Sequence, residues 1–298
     1  MNIGVMGAGA VGCFYGALLA RAGHAVTLVG RPALVRAVRA DGLRLEMRGF
    51  DGTVAVDAVA GPEGLAGVDL VLFCVKSADT EEAGRALLPH LKPGAVVLAL
   101  QNGVDNADRL AAVLGRPVVP VVVYVATDMA GAAHVRHHGR GDLILGPGAD
   151  SERVADLLRA AAIPATVSAG VTAALWDKLI INCAYNALSA VAQVSYGTMV
   201  TVPAVRDVMA DVVAEAVAVA RAWDIAVADD ILERVMALAA AMPNQLSSTA
   251  QDLARGKASE IDYLNGHIVR QGAALGIATP ANRALLAMVK LLEAKAAA

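Results

Sequence analysis

Lys178, Asn182 and Asn186 recur every four residues through "WDKLIINCAYNAL", residues 176–188. Four residues carry a helix just past one turn, with a drift of about 40°, so the three side chains share one face of an otherwise apolar helix. An ammonium and two carboxamides are costly to bury unless something pairs with them. Asparagine is also a poor helix former, so its repetition needs a reason. A ligand carbonyl and hydroxyl would supply one. A lysine in that position can polarise a keto oxygen and deliver a proton to it as hydride arrives at carbon. The plainer alternative is asparagines satisfied by neighbouring backbone and a lysine whose head reaches water.

A second polar cluster lies in "LSSTAQDLARGKASEIDYLNG", with Ser247, Ser248, Glu260, Asp262 and Asn265. Hydroxyls suit a carboxylate ligand, and Glu260 could orient the lysine or contact a cofactor amide. Serine at a helix start is also a common cap, and Ser248 stands between the two readings.

These residues need a scaffold, and the first half of the chain describes one. "GAGAVG", Gly7, Ala8, Gly9, Ala10, Val11 and Gly12, follows the strand-like "NIGVM" (2–6) and precedes a helical stretch ending near Gly23. In that context the glycines make a tight turn, admit a pyrophosphate to the backbone and seat the helix on the sheet, with the helix N-terminus facing the anion. An acidic residue would be expected at the end of the next strand, "AVTLV" (25–29), to hold a ribose 2′-hydroxyl. The chain has Arg31 in "LVGRP", which fits a 2′-phosphate and favours NADP over NAD; a solvated surface arginine is the alternative. "VKSADT" and "QNGVDN" put Lys76 and Asn102 just past two further strands, at the rim where open α/β sheets bind ligands.

The remaining strand candidates are 69–75, 95–100, 118–125, 142–146 and 165–168, with a helix from Ser151 to Ala161. Their alternation with helical patterns predicts a Rossmann-type, doubly wound parallel sheet over residues 1–169. After Gly170 the strand signal fades. Val205, Val208, Met209, Val212, Val213, Ala216 and Val219 mark one helical stripe. "DILE" (230–233) reads as a capping box opening another helix, which Pro243 stops, and a last helix runs from about Ala281. Residues 170–298 are thus expected to be all-helical. At 298 residues, two domains are the starting expectation.

Composition excludes several function classes. A net charge of −3 without a Lys/Arg run offers no footprint for nucleic acid or anionic membranes. Cys13, Cys74 and Cys183 are scattered, which suits a reducing compartment without disulfide or structural zinc. The mean hydropathy of +0.55 raises the question of a membrane segment. Residues 1–20, however, lack a basic start and are broken by five glycines, so Ala/Val-rich buried elements and a cytoplasmic setting are expected. His134, His137 and His138 in "HVRHH" would bind a metal only if helical, and the segment reads as strand and turn, so no metal is expected. Apolar stripes on the terminal helices could face a core or a second copy, which leaves a homodimer open.

With these motifs in place the chain resembles the ketopantoate reductase (2-dehydropantoate 2-reductase) family nearly end to end. "GAGAVG", "LVGR", "VKSADT", "QNGVDN", "WDKLIINCAYN", "SSTAQD" and "EIDYLNG" occur in family order. The resemblance implies NADPH-dependent reduction of 2-dehydropantoate to (R)-pantoate, on the way to pantothenate and coenzyme A. Lys178 then matches the proton donor, Asn102 the junction of cofactor and substrate, Asn182, Asn186 and Ser248 the substrate grip, Glu260 a cofactor contact, and Ala126 a backbone contact to the cofactor. The chain departs from the family at Thr249, where methionine is common. A reductase of another bulky 2-oxo acid, a β-hydroxyacid dehydrogenase and a non-catalytic NADP-binding regulator are the alternatives.

Overall fold

The computed structural model describes residues 1–297, and the chain divides into two compact units, Met1–Val171 and Thr172–Ala298. The first unit contains β1 (Asn2–Met6), α1 (Ala10–Arg21), β2 (Ala25–Val29), α2 (Pro32–Asp41), β3 (Leu43–Met47), β4 (Phe50–Val54) and β5 (Asp57–Val59). It continues with β6 (Leu70–Phe73), α3 (Thr80–Leu87), β7 (Val96–Ala99), α4 (Asn106–Leu114), β8 (Val119–Gly131), β9 (His134–Leu145), α5 (Ser151–Ala160) and β10 (Ala165–Val167). The strands form one sheet in the order β4-β3-β9-β8-β7-β6-β1-β2-β5, with β10 also on β9.

From β5 through β2, β1, β6 and β7 to β8 every pairing is parallel. Successive side chains of a strand point to opposite faces, and β6 shows the consequence. Leu70 and Leu72 enter the core that holds Phe14, Tyr15, Leu18 and Leu19 of α1, whereas Val71 and Phe73 enter a separate core with Leu87 of α3 and Leu110 and Leu114 of α4. Helices therefore cover both faces, as a doubly wound sheet requires. The fold is α/β as expected, but the sheet is mixed. β8 and β9 are antiparallel, as are β3 and β4. Residues 118–125 read as one short parallel strand. The structure continues that strand to Gly131, where only Ala132 and Ala133 separate it from β9, a connection too short for a parallel return.

The second unit is helical: α6 (Val171–Ala192, whose first residue belongs to the first unit), α7 (Tyr196–Met199), α8 (Pro203–Ala222), α9 (Ile231–Ala241), α10 (Ser248–Ala254), α11 (Asn265–Leu275) and α12 (Pro280–Ala297). The expected stripe of α8 is buried at Met209, Val212, Val213, Ala216 and Val219, while Val205 and Val208 are half-buried. α6 buries Leu179, Ile180, Cys183, Ala184, Tyr185 and Ala187 around much of its circumference. Such burial accounts for its apolar character, and among the described residues no helix is long and apolar enough to cross a membrane. The expected capping box of α9 does not form. Asp230 stands at the N-cap without a side-chain cap bond and pairs instead with Arg234 Nε at 2.8 Å, one turn ahead. A guanidinium four residues on competes successfully for the carboxylate.

A buried polar chain ties four of these helices together. Asn265 Nδ2 donates to Cys183 O (3.1 Å) and Asn282 Oδ1 (3.0 Å), and Asn282 Nδ2 donates to Val212 O (3.2 Å) and Glu215 Oε2 (2.7 Å). Asn265 and Asn282 are fully buried. Asn282→Leu strands donors and acceptors at both ends of the chain, so it should destabilise this unit by about 2–4 kcal/mol. A lowered urea midpoint for unfolding of the chain is the expected readout, and an unchanged midpoint would contradict it.

Candidate active site

The loop after β1 shows why each glycine stands where it does. Gly7 has φ +103°, and a Cβ there would lie 2.7 Å from Val75 N and 2.8 Å from Cys74 C, backbone atoms that cannot yield. Its neighbour Ala8 donates from N to Val29 O at 2.8 Å, which ties the loop to the end of β2. A Cβ on Gly12 would meet Gly7 O at 2.4 Å, so this glycine lets α1 sit against the strand that precedes it. Gly9 differs: it has extended backbone (φ −84°, ψ −168°), is exposed, and a Cβ there would meet nothing within 4 Å. It is also the N-cap of α1, and no described side chain caps that helix. Open space, backbone N–H groups and the positive end of a helix coincide there, so the residues present fit a dinucleotide pyrophosphate.

The other expected residues of this unit gather at the same end of the sheet. A Cβ on Gly30 would lie 3.0 Å from Ala8 Cβ, so the end of β2 abuts the glycine loop and presents Arg31, exposed at the N-cap of α2, beside it. Lys76, also exposed, directly follows the Cys74–Val75 segment against which Gly7 leans. Asn102 follows β7, and the next residue turns the chain with φ +100° at Gly103. Ala99 of β7 is in register with Pro120, so β8 beyond Val121 projects past the carboxyl edge of the parallel strands and carries Ala126 there. Ala126 pairs with Gly139 at a register shift in the β8–β9 ladder, one of the irregularities that re-aim a strand.

Beneath Lys76 and Asn102 lies a buried network that sequence reasoning missed. Ser77 Oγ donates to Asn102 O (3.0 Å), and Asn106 Nδ2 donates to Asn102 O (2.5 Å) and Ser77 Oγ (3.1 Å). Thr80 Oγ1 lies 3.1 Å from Asn106 Oδ1 and accepts from Gln101 Nε2 at 2.7 Å. Arg109 grips Glu81 through two bonds of 2.7 Å and also reaches Ser77 O at 2.9 Å. That guanidinium holds the Glu81 carboxyl below its ordinary range. The available signal was the amide at both ends of "QNGVDN", but the partners those amides find in the other loop lie 21 to 29 residues away.

In the second unit, Lys178 and Asn182 are half-buried on α6 and Asn186 is only 2% exposed. The structure brings Asn186 to the second polar cluster, since its Nδ2 donates to Ser248 Oγ at 3.4 Å. The two serines divide the roles between which the sequence could not choose. Ser247 is buried, accepts from Ala250 N at 3.0 Å as the cap of α10 and donates to Asn186 O at 3.1 Å, whereas Ser248 is exposed. Glu260 stands, half-buried, on a separate turn before a short 3-10 segment, Ile261–Tyr263. Asp262 pairs with Lys290 at 2.8 Å and Asn265 belongs to the interior chain, so both serve the fold. Beside Lys178, burial pushes the Asp177 carboxyl above its ordinary range while Arg234 NH1 stands 3.5 Å away.

The three histidines lie on one strand and turn to different partners. His134 pairs with Glu46 (2.9 Å), His138 with Asp128 (2.7 Å), and His137 stacks on Phe14 at 4.5 Å between centroids. Among the described residues no group of three or more His, Cys, Asp or Glu could hold a metal ion.

Comparison with known proteins decides the family. The ketopantoate reductase PanE/ApbA family matches residues 3–150, and its C-terminal domain matches residues 171–293. The chain belongs to the ketopantoate reductase family. It is therefore an oxidoreductase. A 2-dehydropantoate 2-reductase of Halobacterium salinarum is 38% identical over 98% of this chain and 99% of its own length. The crystal structure of a PanE/ApbA family ketopantoate reductase from Ralstonia eutropha JMP134 is 54% identical, covers 100% of both chains and superposes with a TM-score of 0.98. A D-mandelate dehydrogenase solved with NADH and anilino(oxo)acetate covers 100% of both chains with a TM-score of 0.94, and at 23% identity shares the fold.

Proposed function

We propose that this ketopantoate reductase family member reduces 2-dehydropantoate to (R)-pantoate with NADPH, as a cytoplasmic step toward pantothenate and coenzyme A. Residues 1–169 serve as the NADP-binding domain and 170–298 as the substrate and catalytic domain. The observation that carries the reading is the Lys178–Asn182–Asn186 face of α6, half-buried at its lysine and joined through Asn186 to Ser248. It is the stripe expected of a site for a 2-oxo acid, in a chain whose curated relatives bear that activity by name.

NADPH, when bound, supplies the hydride for the 2-keto carbon. Gly7, Ala8, Gly9, Ala10, Val11 and Gly12 receive the pyrophosphate, Arg31 the 2′-phosphate, and Lys76, Asn102, Ala126 and Glu260 the rest of the cofactor. Lys178 donates a hydrogen bond to the keto oxygen, which draws charge from the carbon, and gives up its proton as the oxygen becomes a hydroxyl. Asn102, Asn182, Asn186 and Ser248 hold the carboxylate and hydroxyl of the substrate, and Glu260 orients the lysine.

The test is a panel of 2-oxo acids. A site that hydrogen-bonds the substrate hydroxyl rejects an analogue lacking it, so kcat/KM for ketopantoate should exceed that for 2-oxoisovalerate by about 100-fold or more. Equal values would favour a reductase of bulky 2-oxo acids in general. Cofactor choice has its own variant. Arg31→Ala should raise the KM for NADPH about 10- to 100-fold, the worth of a charge-assisted pair, and leave that for NADH nearly unchanged. A parallel rise for both cofactors would remove Arg31 from 2′-phosphate recognition.

A further inference from the structure

We infer that Asn106 is a positioning residue that locks the loop after β6 to the loop after β7 and so presents Lys76 and Asn102 to the cofactor as one unit. The inference rests on the NADPH-binding reading above and names a residue outside its contact set. Asn106 opens α4, is 3% exposed, and uses both sides of its carboxamide. Its two amide protons go to Asn102 O at 2.5 Å and Ser77 Oγ at 3.1 Å, while its oxygen faces Thr80 Oγ1 and Arg109 NH1, each at 3.1 Å.

The consequence follows from connectivity. Asn102 O is held from two directions, by Asn106 from its own loop and by Ser77 from the other. Ser77 is the residue next to Lys76, so a displacement of Asn102 passes through one buried hydroxyl to the base of the lysine. Ser77 and Thr80 are fully buried, which makes every bond in the chain costly to leave unmade. A network closed in this way has few alternative arrangements, and it lies beneath exposed Lys76 at the carboxyl edge of the sheet. A group that only supported the fold would have no reason to couple to Lys76 more than to any other residue of the unit.

Asn106→Asp is the discriminating change. It keeps the acceptor facing Thr80 and Arg109 but replaces the donor with an oxygen turned toward the Asn102 carbonyl. NADPH affinity, read from cofactor fluorescence on titration at a temperature where the variant is fully folded, should fall about 10-fold or more, and the melting temperature falls as well because buried bonds are left unmade. The same substitution made in a Lys76→Ala background should cost less than about 3-fold, because the residue through which Asn106 acts has gone. Unchanged NADPH affinity, or the same loss in both backgrounds, would overturn the inference. Should Asn106→Asp fail to fold, Ser77→Ala removes one of the two bonds to Asn102 O, and the same cycle with Lys76→Ala decides on the same criteria. Failure of the unaltered protein to bind NADPH would sink the cofactor reading itself, a separate outcome.

Discussion

Replacement of Lys178 by alanine should lower turnover with ketopantoate by about 100- to 10,000-fold, the range typical for loss of a general acid. It should leave the NADPH dissociation constant within about 3-fold of that of the unaltered protein. Two facts set this expectation. Lys178 lies on the same face of α6 as Asn182 and Asn186, and it is half-buried, so the ammonium can meet a keto oxygen where water competes less than at an open surface. Asn182 cannot replace it, because a carboxamide can donate a hydrogen bond yet cannot surrender a proton near neutral pH. A kcat that falls with an unchanged KM for ketopantoate would mark an interaction made in the transition state. Turnover equal to that of the unaltered protein would remove the lysine from the mechanism.

The second large effect comes from a glycine that the fold itself does not require. Gly9 has extended backbone that a β-branched residue adopts without strain, and a Cβ there points into open space. Gly9→Val should therefore fold, with a melting temperature lowered by only a few degrees, the cost of a poorer N-cap on α1. It should nevertheless weaken NADPH binding by about 100-fold or more, because its methyl groups occupy the space through which a pyrophosphate approaches the backbone. Gly12→Ala makes the opposite trade. Its Cβ would stand 2.4 Å from Gly7 O, so stability falls before binding can be asked about. Thermal melts and NADPH titrations of the two variants separate these outcomes. Tight NADPH binding by Gly9→Val would show that no phosphate lies against this loop.

The sequence revealed most where chemistry and burial repeat at short range. β1 and β2 were legible to the residue because "NIGVM" and "AVTLV" are short apolar runs bounded by glycine and a charged or polar residue. β3 was harder to see: Leu43 and Leu45 do alternate with Arg44 and Glu46 as in a half-exposed strand, but over five residues directly after the helical pattern of α2, and β4 carries Gly52 in its middle. The sheet is mixed where the sequence suggests a parallel one because the pairing of β8 with β9 depends on a two-residue turn, "AA", that carries none of the usual hairpin residues. In the helical unit the spacing of Lys178, Asn182 and Asn186 could be read directly, whereas the bond from Asn186 to Ser248 joins residues 62 apart. Separation in sequence also hid Asn106, whose partners Ser77 and Thr80 lie 29 and 26 residues away in another loop. Asp230 shows the converse: a local pattern correct in form lost its carboxylate to Arg234.

The rate of NADPH oxidation by the purified protein on addition of ketopantoate tests the proposed reaction most directly, with NADH and 2-oxoisovalerate as controls. Rapid loss of reduced nicotinamide that requires ketopantoate and strongly prefers NADPH is the predicted result. NADPH that binds tightly yet is oxidised by neither 2-oxo acid would contradict it.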